Sequence, residues 1–136
     1  MKLRYFIFLL LVISSVSASA QTWGDSALKE EAVFTSAEIA PKFKGGMKGF
    51  YQFIAENLQQ PAEKFSIFSN RTVTVKTIID KEGKIAFAEI EKGVNAAYDE
   101  AAIDLVKKMP VWSPAKQNGR AVYYYQMIPV VFVEGY

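Results

Sequence analysis

The sequence predicts an α+β domain in which two helices pack on one face of a small three-stranded antiparallel sheet, in the order helix, strand, strand, helix, strand. Three observations carry the prediction. Residues 72–79 and 84–91 alternate in character on either side of a glycine-containing turn, as a hairpin does. Residues 98–109 repeat apolar side chains at helical spacing. Residues 121–132 form a run of β-branched and aromatic residues, the composition of a strand.

The length of 136 residues suits one domain. Residues 1–20 read as a cleavable signal peptide. Lys2 and Arg4 give a positive start, Tyr5 to Val16 is a short apolar run, and Ala18-Ser19-Ala20 is an A-x-A cleavage site. The run is shorter than the roughly 20 residues that span a bilayer, which argues against an uncleaved anchor. With no cysteine after it, a lipoprotein anchor on this chain is excluded too. The expected mature chain starts at Gln21 and works outside the cytoplasm without a membrane anchor. Residues 21–32 are expected to be a flexible arm. Trp23 is its one large residue, either a peg into the domain or a scattered surface aromatic. The domain itself is expected over residues 33–136.

Val33-Phe34 opens an extended piece. Pro41-Lys42-Phe43-Lys44-Gly45-Gly46 turns into a helix, with two glycines free to take positive φ. That helix is expected over residues 47–58, with Phe50, Phe53, Ile54 and Leu58 on one face. Gly49 weakens it slightly, and Pro61 cannot continue it. Such a face reads as core rather than as a ligand site. Residues 62–70 are expected to form a loop pinned by Phe65, Ile67 and Phe68. In the next strand Val73, Val75, Thr77 and Ile79 point one way, and Thr72, Thr74, Lys76 and Ile78 the other. Asp80-Lys81-Glu82-Gly83 turns the chain. On the return strand Ile85 and Phe87 are opposite in phase to Ala86, Ala88 and Ile90.

Gly93-Val94-Asn95 leads into the second helix, whose core face is Tyr98, Ala101, Ala102, Leu105, Val106 and Met109. Its acids lie towards the start and Lys107 and Lys108 in the last turn, which suits the helix dipole. Pro110 stops it. Trp112, between that stop and Pro114, is placed to cover the end of a core. A polar loop, Ala115-Lys116-Gln117-Asn118-Gly119-Arg120, precedes the final run.

Absences decide the chemistry. There is no histidine and no cysteine, which removes histidine acid–base work, thiol nucleophiles and most zinc sites. Gly45-Gly46 lacks the preceding strand and following Lys-Ser/Thr of a phosphate loop. The carboxylate pairs Glu30-Glu31 and Asp99-Glu100 fall in the arm and at a helix start, and Asp80 and Glu82 are too few for a calcium loop. The reading is therefore no enzyme, no cofactor and no metal. Loss of Lys2 and Arg4 leaves the mature chain formally neutral, so nothing marks a nucleic-acid footprint.

What remains is binding, and the final run is its candidate. Pro129 interrupts that run, and a proline belongs on an edge strand or at a bulge. An edge invites a second chain to pair. A buried strand with a bulge is the alternative, and both stay open on local physics.

The order and spacing of these pieces resemble the TonB C-terminal domain family, in its Bacteroidetes-type form, over nearly the whole mature chain. The matching residues are Pro41 to Gly46, Val73 to Ile79 followed by Asp80-Lys81-Glu82-Gly83-Lys84, and Tyr98-Asp99-Glu100-Ala101. They continue with Met109-Pro110-Val111-Trp112-Ser113-Pro114, Gln117-Asn118-Gly119 and Ile128-Pro129-Val130-Val131-Phe132. Arg71 and Gln60 depart from the family pattern, where glycine and tyrosine are common. The resemblance implies a periplasmic module that captures TonB boxes, short extended peptides of outer-membrane receptors, by strand addition to the last strand. Carried over, the binding residues are Tyr123, Tyr124, Tyr125, Gln126, Met127, Ile128, Val130 and Phe132. The implied partners are TonB-dependent outer-membrane receptors or other envelope proteins. A cleavable signal leading almost directly into the domain leaves no anchor or Pro-rich spacer, so the expected role is a free-standing accessory or adaptor. The other reading is an envelope interaction domain that reuses the fold, homodimerisation through the exposed edge included.

Overall fold

A computed structural model describes residues 31–64 and 70–133 of the chain. The expected signal peptide, most of the arm with Trp23, and the pins Phe65, Ile67 and Phe68 lie outside the described residues. The elements are β1 (Val33–Phe34), α1 (Gly46–Asn57), β2 (Thr72–Ile79), β3 (Ile85–Lys92), α2 (Ala96–Lys107), β4 (Lys116–Gln117), β5 (Arg120–Ala121) and β6 (Tyr123–Val131).

The fold is built on β2. Its alternation holds up to Thr77: Val73, Val75, Thr77 and Ile79 have no exposed surface, and Ile78, of the opposite phase, is buried too. From β6, Ile128 and Val130, with Phe132 just beyond the strand, join them on the same face. Phe50 of α1 and Tyr98, Ala102, Leu105 and Val106 of α2 close over that face, so both helices cover one side of the sheet. The Tyr98 ring meets Phe132 edge-on at 4.8 Å, and its hydroxyl donates to the Glu63 carbonyl. Thr77 is the polar member of the buried face, and its hydroxyl donates to the Gln126 carbonyl at 2.7 Å. Within the apolar core that bond spares the hydroxyl the cost of desolvation without a partner.

Local chemistry sets the ends of the elements. The Asn95 side chain accepts from the Tyr98 N–H at 3.0 Å, and Asp99 reaches back to the Val94 N–H at 2.8 Å. One donor orphaned at the start of α2 is thereby satisfied, and so is the N–H of the residue just before the cap. At the β2–β3 turn Asp80 accepts from the N–H groups of Glu82 and Lys84. Gly83 follows with φ +87°, and its carbonyl accepts from the Trp112 N–H at 2.8 Å. A Cβ there would sit 1.7 Å from the Trp112 carbonyl oxygen, so only glycine fits. Trp112 does cover the end of the core, packing edge-on against Phe43 at 5.3 Å and against Phe50 at 6.2 Å.

The sheet corrects the expected three antiparallel strands. It is a mixed four-stranded sheet in the order β1-β6-β2-β3, with a separate two-stranded sheet β4-β5. β1 adds parallel to β6, Val33 opposite Tyr123 and Phe34 opposite Tyr124. Two residues have no period to read, which hides such a strand from pattern analysis. The loop expected at residues 115–120 is instead a hairpin: Asn118 and Gly119 both have positive φ between Gln117 and Arg120. On β3 the expected opposition of Ile85 to Ala88 and Ile90 is overturned. Between Ile78 opposite Phe87 and Ile79 opposite Ile85, Ala86 is bulged out. One extra residue flips the phase, so Ile85 packs on the core with Ala88 and Ile90.

Candidate functional site

The two sides of β6 differ along its length. On one side it pairs antiparallel with β2 without a break in register, from Thr72 opposite Val131 to Ile79 opposite Tyr124. On the other side β1 covers only Tyr123 and Tyr124. The sequence reading of an edge strand therefore holds for part of β6: among the described residues, nothing pairs with the outer side from the Tyr125 carbonyl to Val131.

Which backbone groups face outwards follows from one hydrogen bond. The Phe132 N–H donates to the Arg71 carbonyl at 2.9 Å, on the β2 side. Backbone groups alternate along a strand, so Val130, Ile128, Gln126 and Tyr124 also bond towards β2. Val131, Pro129, Met127 and Tyr125 turn theirs outwards; because Tyr124 faces β2, its parallel pairing with Phe34 runs through the Tyr125 N–H, so the open groups begin at the Tyr125 carbonyl. Pro129 therefore has its missing donor on the outer side, opposite Thr74, where no bond to β2 is lost. The Met127 carbonyl, one of the outward acceptors, takes a 3.1 Å hydrogen bond from the Gln126 side chain.

Set against this geometry, the sequence-derived residues divide. Ile128, Val130 and Phe132 are fully buried, and their side chains belong to the core. Tyr123 and Tyr124 stand against β1. Tyr125 and Met127 carry outward backbone groups, and so do Pro129 and Val131, which were not among the expected binding residues. On the face away from the helices, Lys76 lies 5.0 Å from the Tyr125 ring centroid and Lys81 5.6 Å from that of Tyr123. Lys81 also pairs with Glu31, just before β1.

A groove of about 480 Å³ runs beside this edge, on the side of α1. Residues 126–129 form one wall. The other comes from far away in sequence: Phe43, Met47, Phe50, Tyr51 and Trp112. Main-chain bonds hold that wall in place. Lys42 and Ser113 exchange both hydrogen bonds, at 3.0 and 2.8 Å, and Ile39 and Lys116 do the same at 3.1 and 2.9 Å. Gly45 and Gly46, both with positive φ, then swing the chain into α1. Met47 and Tyr51 are 64% and 63% exposed, although they are large and apolar. The Trp112 indole N–H is buried, with no acceptor among the described residues. The helical spacing of Met47 and Tyr51, off the Phe50–Ile54 core face, was the available sequence signal for this wall. Among the described residues no three Asp, Glu, His or Cys side chains gather as a metal would need. No described helix is long and apolar enough to cross a membrane.

An α+β domain with a half-open strand beside an apolar groove has the kind of geometry on which strand addition operates. Residues 70–133 match the family model of the Gram-negative bacterial TonB protein C-terminal domain. Over that span the chain is a member of the TonB C-terminal domain family, and the match takes in β2, β3, α2 and β6. The wall built from residues 41–51 lies ahead of the matched span. No curated protein and no solved structure matches the chain.

Proposed function

We propose that this domain binds extended peptides of outer-membrane receptors by adding them as a strand to the outer side of β6. The observation that carries this reading is the unpaired run from the Tyr125 carbonyl to Val131, with its outward donors and acceptors in the strand the family uses. Backbone hydrogen bonds supply the affinity, and neighbouring side chains the selectivity. The domain works in the periplasm as part of transport across the outer membrane. The family and the export signal expected over residues 1–20 support that placement. Its role is binding rather than catalysis.

Titration of the protein with receptor N-terminal peptides, followed through backbone amide resonances, tests the proposal. Shifts concentrated on Tyr125 to Val131 are expected. A folded sample whose β6 amides do not move with any such peptide overturns it. A second reading, homodimerisation, rests on the same edge, where Met127 and Val131 are 44% and 51% exposed. A mass that rises with concentration, with no response to peptide, selects it.

A further inference from the structure

We propose that the chain carries a second ligand site, away from β6: the cleft between the β3 edge and the end of α2 takes the acyl chain of a fatty acid, and Lys84 and Lys107 hold its carboxylate. The inference does not rest on strand addition.

The cleft holds about 450 Å³, the size of a small-ligand pocket. Ala86 and Ala88 of β3 line one side, Ile103 and Val106 of α2 the other, and Met109 and Val111 continue the lining beyond the helix. The two alanines leave open a space that larger side chains would fill. Ala88, Ile103 and Met109 pack against the core but are only partly covered, and Val111 is 54% exposed. Apolar surface gathered in water at one place marks a binding site. The walls are set before any ligand arrives. The Trp112 N–H donates to the Gly83 carbonyl at 2.8 Å, which ties the end of the lining to the β2–β3 turn. The Met109 N–H donates to the Val106 carbonyl at 3.1 Å. A preformed site loses little to ordering when it binds.

Two features choose the occupant. The first is the strand edge. The bulge at Ala86 interrupts the regular spacing of β3, so a peptide laid in the cleft is kept from extending the sheet, and its backbone groups would be buried without partners. A chain of methylene groups has none to satisfy and gains from each one it buries. The second is charge. Lys84 and Lys107, both exposed, are the charged residues that line the cleft, and no acidic residue lines it. Lys84 also pairs with Glu82 at 3.0 Å, an exposed contact weak enough for a ligand carboxylate to share. The last carbonyls of α2 are partly negative, and Lys107 in its last turn offsets them. An anionic head gains at this cleft and a cationic one is repelled, more strongly at low salt.

The test titrates the protein with dodecanoate below its micelle threshold and follows backbone amides. A second titration uses dodecyltrimethylammonium, which has the same tail and the opposite charge. Dodecanoate is expected to shift Ala86, Ala88, Ile103 and Val111 and to leave residues 125–131 unmoved, and the cation to bind about tenfold more weakly. Val111→Asp, at an exposed position, should weaken dodecanoate about tenfold. Lys84→Gln combined with Lys107→Gln should bring the two amphiphiles within about threefold of each other, with the melting temperature little changed. Equal binding of the two by the parent overturns the proposal. So does a folded protein whose cleft amides ignore dodecanoate, or one whose shifts fall on Met47 and Tyr51 instead. Phosphatidylglycerol vesicles supply the last arm: a protein that sediments with them and ignores dodecanoate binds a membrane surface, and the fatty-acid site falls. Should Val111→Asp fail to fold, the paired lysine variant decides.

Discussion

The sheet has two outer edges, and they are built differently. β3 is broken by two register shifts against β2, and its exposed residues include Glu89, Glu91 and Lys92. Bulges and charges are the usual means of keeping an edge from pairing with another chain. The open part of β6 has neither. Its pairing with β2 holds one register throughout, and Met127, Pro129 and Val131 are its exposed residues. Pro129 blunts it by a single donor. The contrast indicates that β3 is protected and β6 is kept available, although both edges belong to one small sheet.

The comparison can be broken most severely by reversing the two sides of β6. Ile128→Pro removes an N–H that faces β2 at a fully buried position and is expected to cost about 3 kcal/mol or more, read as a collapsed thermal transition. Met127→Pro removes an N–H that faces outwards, beyond the reach of β1. It should keep a cooperative melt within about 1–2 kcal/mol of the parent and yet lose peptide capture. Equal damage from the two prolines would overturn the assignment of inner and outer sides.

Next in size is Gly83→Ala. The hairpin that carries the β3 edge is tied to Trp112 at this residue, and an added Cβ collides with the Trp112 carbonyl. A loss of about 2–4 kcal/mol in chemical denaturation is expected.

A subtler test makes the protected edge resemble the open one. Replacing Glu89, Glu91 and Lys92 by Val should leave the fold intact and raise self-association, seen as mass that increases with concentration. A variant that stays as dispersed as the parent would show that the bulges alone suffice.

The smallest effect is expected at the hairpin tip. Lys84 pairs with Glu82 at 3.0 Å, and hydrogen bonding to Glu82, then its charge, raises the lysine pKa above its ordinary value. A raised pKa contributes stability that is full below the unfolded value and fades as pH climbs through the folded one. The difference in melting temperature between parent and Glu82→Gln should therefore be slight at neutral pH and vanish in strong alkali. The pair is solvent-exposed, which keeps the effect small.

Much of this was legible in the sequence wherever a period exists. The buried face of β2, the α2 stripe, the stop at Pro110 and the cover given by Trp112 follow from spacing and from proline chemistry. Ala86 shows why the phase of β3 is not legible: a bulge inserts one residue and inverts a two-residue period without changing composition. β1 is too short to have a period at all. Asn118-Gly119 did hold a hairpin signal, outweighed by the polarity of its neighbours. The groove was illegible for another reason. Its walls meet only after residues 39–43 bond to residues 113–116, a pairing with no local trace.

The two-residue strand β1 has a consequence for length. It occupies the outer side of β6 at Tyr123 and Tyr124, and so acts as an end stop. From there to Val131 the free edge spans seven residues, about 23 Å of extended chain. Under the proposed strand addition, a bound segment could not slide past the stop to gain further bonds, and lengthening it would add only overhang. The edge is in effect a ruler with a fixed zero. Affinity should climb with peptide length up to that span and level off beyond it.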